Sequence, residues 1–163
     1  MSGETGTDRF ITEWLLRGAE STEQARMEWQ KQGVALVRCG RSFAAIRIPA
    51  HLVHAAAGTD DPESVRTRLE CHLSGPVIHD GRERSAYYVL IQWHAGLVWD
   101  GEDDTPCLGS DTYIGVPHLG RCYPPGTHWV IEPRRDGDLC RPSVVREFIA
   151  RARQTLAAAA EAS

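Results

Sequence analysis

Apolar residues recur three and four positions apart at the start of the chain, then every second position, and this change of period separates helices from strands. Phe10, Ile11, Trp14, Leu15 and Ala19 share one face of a helix over residues 8–19, which Thr7 or Asp8 can cap. Ser21-Thr22-Glu23-Gln24 opens a second helix as a capping box, and Gly33 suits its left-handed C-terminal position. Residues 34–38 and 42–48 read as two strands joined by Cys39-Gly40-Arg41 in a hairpin. Pro49 ends the second strand and sits at the first turn of a short helix carrying His51, Leu52, His54 and Ala57. Asp61 caps a further helix that Pro62 opens and that reaches about Leu73, where Gly75-Pro76 forces a turn.

The second half is strand-rich. Val77-Ile78-His79 reads as a short strand and Asp80-Gly81-Arg82-Glu83-Arg84 as a charged turn. Ala86-Tyr87-Tyr88-Val89-Leu90-Ile91 is the clearest strand, built from aromatic and branched residues. Residues 93–105 read as irregular and end in the acids Glu102, Asp103 and Asp104; strands near 112–116 and 128–132 are expected to complete the sheet. After a turn at Gly137, Val144, Val145, Phe148, Ile149, Ala152 and Leu156 form the apolar stripe of a long helix starting near Pro142. The expectation is one α+β domain over 8–156, a mostly antiparallel sheet flanked by helices, with a disordered start (1–7) and a frayed alanine-rich tail (157–163).

A length of 163 residues suits a single domain, and no apolar run is long enough to span a membrane. The first residues lack the basic and apolar regions of a secretory signal, so the expected location is the cytoplasm. Five scattered cysteines with no Cys-x-x-Cys pair fit a reducing compartment, as small buried hydrophobes. A net charge of −4 argues against strong non-specific nucleic-acid binding. Lys31 is the only lysine; the arginine bias reflects either GC-rich coding or selection for the bidentate phosphate fork.

No zinc spacing surrounds His51, His54 or Cys71-His72, and surface or boundary positions explain these residues better than a metal site. The chain has no Gly-x-Ser-x-Gly elbow, no phosphate-loop or dinucleotide glycine pattern, and at Gly101 to Thr105 no complete calcium loop.

One stretch carries more. Cys107-Leu108-Gly109-Ser110-Asp111-Thr112-Tyr113-Ile114-Gly115-Val116-Pro117 is followed by Pro124-Pro125-Gly126-Thr127-His128-Trp129-Val130. With Trp14-Leu15-Leu16, Trp29, Gly33-Val34-Ala35-Leu36 and Gly75-Pro76-Val77-Ile78, it resembles the archaeo-eukaryotic primase-polymerase domain, in its short stand-alone actinobacterial form. The resemblance implies a DNA-replication-related fold whose active members hold two divalent cations on strand-end acids and contact the incoming nucleotide through a histidine. Here the acid positions would fall on Arg47 and Pro49, the histidine on Ser85 or Ala86, and the third acid on Pro106 or Cys107, unless a slip brings in Asp103 or Asp104. A guanidinium repels a divalent ion and proline has no side-chain ligand, so the expectation is a pseudoenzyme without metal or cofactor.

Arg47, with Arg38, Arg41, Arg82 and Arg84, can instead grip phosphate directly; alternatively these arginines are solvated and paired with acids. Nucleotide, single-stranded nucleic acid or another protein are the partners to test, with no membrane role. The alternatives are a protein-interaction domain docking through the sheet face or the Trp93 to Trp99 loop, and an active primase-polymerase using displaced acids.

Overall fold

The computed structural model describes residues 6–82 and 85–162. The N-terminal helices are α1 (Gly6–Leu16) and α2 (Thr22–Gln32). Ser21 accepts a hydrogen bond from the Gln24 amide at 3.2 Å and Gly33 ends α2 at φ 75°, as the capping pattern predicts. Strands β1 (Val34–Arg38) and β2 (Ala44–Pro49) lead to α3 (Ala50–Ala57) and α4 (Pro62–His72), the latter capped by Asp61. Then come β3 (Val77–Asp80), β4 (Ala86–Ile91), a 3₁₀ helix (Trp93–Val98), β5 (Cys107–Leu108), β6 (Tyr113–Pro117), β7 (His128–Ile131) and α5 (Pro142–Ala162). Helix α5 thus continues past residue 156 to Ala162, and α1 already begins at Gly6.

The main sheet has the order β5-β2-β4-β3-β7 with every neighbouring pair antiparallel. Helices α3, α4 and α5 cover one face, where Ile46, Ile48, Val89 and Ile91 pack with Leu52, Leu69, Val145 and Phe148. On the other face Ala45, Ile78, Leu90 and Trp129 meet Trp14, Leu15, Trp29, Val37 and Ile114. Covered on both sides, β4 is buried at all its positions, which explains its unbroken apolar sequence. The result is a single α+β domain, as expected.

Two details correct the sequence reading. β1 and β2 do not form a hairpin: β1 pairs with β6 in a separate two-stranded ribbon, while β2 lies inside the main sheet between β4 and β5. The turn between them closes through Gly40 N–H to Phe43 O (2.7 Å), but the next donors are taken elsewhere, Cys39 N by Thr112 O and Arg38 N by Gly18 O. The burial patterns give the reason. β1 buries Ala35 and Val37 and exposes Leu36, so it suits a one-sided ribbon; β2 buries four of its six residues, on both faces of the strand, so it needs a site covered on both faces. For the same reason β6, expected to complete the main sheet, joins the ribbon through Ile114 and Val116.

Candidate ligand-binding groove

The strand end that the primase-polymerase resemblance equips with acids is here the end of β2. Arg47 is half-buried, pairs across the sheet with Tyr88, and donates its backbone amide to Pro106 O at 3.0 Å. Pro49 occupies the position before α3. The acid nearest in register is Asp80, which pairs with Ala86, itself the partner of Pro49. Its carboxylate is 4% exposed and already engaged: Arg82 donates to both oxygens (Nε to Oδ1 at 3.0 Å, Nη2 to Oδ2 at 2.8 Å), and Tyr88 Oη donates at 3.1 Å. Burial pushes the Asp80 pKa up, but the hydrogen bonds and charge of Arg82, with the Tyr88 bond, outweigh it and hold the group below the usual carboxylate range.

Of the displaced acids, Asp104 is already engaged. Asp104 accepts from Arg153 of α5 at 3.1 and 2.6 Å, with Glu102 at 3.4 Å from the same guanidinium. Among the described residues no group of three or more His, Cys, Asp or Glu side chains is placed to hold a metal ion. Arg47 and Pro49 do not fit the two-cation site that the resemblance implies.

The five arginines singled out in the sequence fall in different places. Arg82 is locked onto Asp80. Arg38 donates from Nε to Ser110 O at 2.5 Å and lies 4.0 Å from the exposed Asp111. Arg41 is exposed on the Gly40 turn, where its charge and that of Arg38 act on Tyr113, whose hydroxyl donates to Glu20. Arg47 lies across the sheet, and Arg84 lies outside the described residues.

Between the outer face of the ribbon and the end of the main sheet runs a groove. Its first recess, about 410 Å³, is lined by Gln32, Val34, Leu36 and Gly115 on one side and by Asp80, Arg82 and Thr127 on the other. Around the turn from α2 to β1 lies a second recess of about 470 Å³, lined by Arg26, Trp29, Gln30, Gly33, His118 and Arg121. Arg121 donates from Nε to Thr127 O (2.9 Å) and from Nη2 to Pro125 O (3.5 Å). These carbonyls fix the guanidinium without neutralising it. Gly33 makes the room: a Cβ there would stand 2.8 Å from Arg121 Nη1. The rear of the groove is pinned by two indoles, Trp29 Nε1 donating to Val116 O and Trp129 Nε1 to Pro117 O, each at 2.9 Å.

No family model, curated protein or solved structure matches the chain. The reading of the site therefore stands on its geometry. Among the described residues neither Arg26 nor Arg121 pairs with a carboxylate, in contrast to Arg82, Arg146 and Arg153. The sequence reading missed both. The available signal was Pro124-Pro125-Gly126 close behind Arg121, a loop able to turn carbonyls onto a guanidinium.

A histidine cluster occupies the helix-covered side of the main sheet. His54 Nε2 lies 2.9 Å from Tyr87 Oη, His79 stacks on the Tyr87 ring at 4.5 Å with Nε2 2.9 Å from Ser85 Oγ, and His128 meets His79 edge-on at 5.3 Å. Burial, then the positive charge the neighbouring His128 and His54 would carry, lowers the His79 pKa to about 4; burial also lowers His54 and His128. These rings are neutral packing groups near pH 7. In the loop expected to dock a partner, Trp99 donates to Thr105 O under Arg146, whereas Trp93 is exposed; Trp129 of β7 is buried.

Proposed function

We propose that this chain is a cytoplasmic, non-catalytic relative of primase-polymerase domains that holds a nucleotide or single-stranded nucleic acid in the groove beside the ribbon. The observation that carries this reading is the fixed, unneutralised guanidinium of Arg121, with Arg26 beside it and Arg82 in the adjoining recess. Arginines held this way donate to phosphate oxygens as a fork without a metal. Exposed Tyr113 and Leu36 on the outer face of the same ribbon offer a surface on which a base can stack. Nucleotidyl transfer is not part of this reading, because Arg47 and Pro49 stand where cation ligands are needed and Asp80 is consumed by Arg82 and Tyr88. No helix among the described residues is long and apolar enough to cross a membrane.

The test is fluorescence polarisation of a short labelled oligo-dT and of a fluorescent nucleotide at low salt. Saturable binding that weakens about tenfold in Arg26→Ala plus Arg121→Ala supports the groove. Absence of binding at low salt removes it, since phosphate contacts are strongest there.

A second reading has its own observation: Trp93, Leu97 and Val98 on the 3₁₀ helix are 47%, 79% and 73% exposed. A cluster of this kind suits the apolar pocket of a protein partner. It would be favoured over the first reading if oligonucleotides fail to bind and a partner is retained by the native chain but lost on Leu97→Asp.

A further inference from the structure

We propose that a second recess, between the C-terminal end of α4 and the start of α5, binds a small phosphorylated molecule through Arg134, Arg135 and Arg141. The recess measures about 550 Å³ and lies at the end of the main sheet opposite the ribbon groove. β3 and β7 are antiparallel: Ile131, after which the chain runs to Arg134, pairs with Val77, while Asp80 and Arg82 follow the other end of β3.

The arginines project from stiff backbone. Asp138 is 3% exposed and its carboxylate accepts from the Arg134 amide at 2.9 Å, while its own amide donates to Arg135 O at 3.2 Å. Gly137, at φ 72°, completes this turn. Behind it the chain packs backbone on backbone, for a Cβ on Gly75 would stand 2.5 Å from Cys140 N and 2.6 Å from Leu139 C. A backbone ordered in advance leaves only the arginine side chains to settle on a ligand, which lowers the entropic cost of binding.

Their charge is unspent. Among the described residues no carboxylate lies within 4.0 Å of the guanidinium nitrogens of Arg134, Arg135 or Arg141, although six other arginines of this acidic chain are so paired. Asp138 is turned into its own loop, and Glu70 is the other acid on the wall. Arg141 directly precedes the long helix α5, whose N-terminal end adds positive potential on the same side. An adjoining recess of about 300 Å³ shares Cys71, His72 and Val144 and adds Phe148, whose ring lies 6.3 Å from that of His72. A cationic end with a partly apolar annex fits a ligand with a phosphate head and a flat body, of nucleoside-monophosphate size.

Isothermal titration of the whole chain with inorganic pyrophosphate and with a nucleoside monophosphate, at low ionic strength, tests this. The expected result is saturable binding of both, weakened about tenfold in Arg134→Ala plus Arg135→Ala and several-fold in Arg141→Lys, which keeps charge but loses the fork. All three side chains are exposed, so the variants should fold, which circular dichroism checks. In an Arg26→Ala plus Arg121→Ala background, which removes the ribbon groove, saturable binding should persist and be lost on adding Arg134→Ala plus Arg135→Ala, which separates the two sites. No binding, binding undiminished in the double variant, or displacement of pyrophosphate by excess oligo-dT overturns the proposal; the last would make nucleic-acid backbone the source of the phosphate.

Discussion

Gly33 links fold to proposed function at a single residue. Its φ of 75° ends α2 in the left-handed region, and the absence of a side chain leaves space for Arg121. Gly33→Ala should therefore cost about 1–2 kcal/mol in urea unfolding from backbone strain alone. It should also weaken oligonucleotide binding, because the added methyl would stand 2.8 Å from Nη1 and push the guanidinium off its carbonyls. Loss of stability with unchanged affinity would detach Arg121 from the binding surface. The glycine itself was legible as a helix stop, since its spacing from Ser21 is local information. Its second role was not, because Arg121 reaches it through a fold that brings β7 and its preceding loop beside α2.

At the scale of elements, legibility followed the range of the contacts. The caps at Ser21 and Asp61, the strand β4 and the stripe of α5 from Val145 to Ala152 each depend on neighbours in sequence and formed where the pattern put them, whereas Leu156, expected in the same stripe, is exposed beyond the end of the packed face. The pairing of β1 with β6 joins residues far apart in sequence, and a two-residue period says which face is buried, not which strand lies alongside. The histidine cluster arises in the same way: α3, β3 and β7 each bring one ring to Tyr87 of β4 or to its neighbours, so His54 looked like half of a helical pair with His51. Its consequence is a pH dependence. His79, His54 and His128 have folded pKa values below the unfolded value, so the unfolded chain takes up protons first as pH falls. Stability from these groups is complete above about pH 6.5 and declines from there toward about 4, the folded value of His79. Melting temperature should fall across that window, and His79→Gln should flatten the fall. An unchanged slope in that variant would place the acid sensitivity elsewhere.

For the whole molecule, a net charge of −4 and localised arginines make different demands on a binding experiment. Long-range attraction to a polyanion is weak, so affinity must come from short-range contacts in the groove, and salt should act through a small number of phosphates. For single strands the slope of log affinity against log salt is about −0.7 per phosphate neutralised. Contacts by Arg26 and Arg121, with Arg82 held by Asp80, give a slope of about −1.4, well short of that of a basic nucleic-acid binder. Arg26→Ala should reduce it by about 0.7. Leu97→Asp, on the 3₁₀ helix, should leave it unchanged. Chelation by EDTA should not alter the affinity, because guanidinium groups meet the phosphates directly, and primer extension with magnesium or manganese should yield no product. A steep slope that no groove substitution changes would move the phosphate contacts to some other surface. Affinity that collapses on chelation would put a cation back between protein and phosphate and end the case for an arginine-only groove.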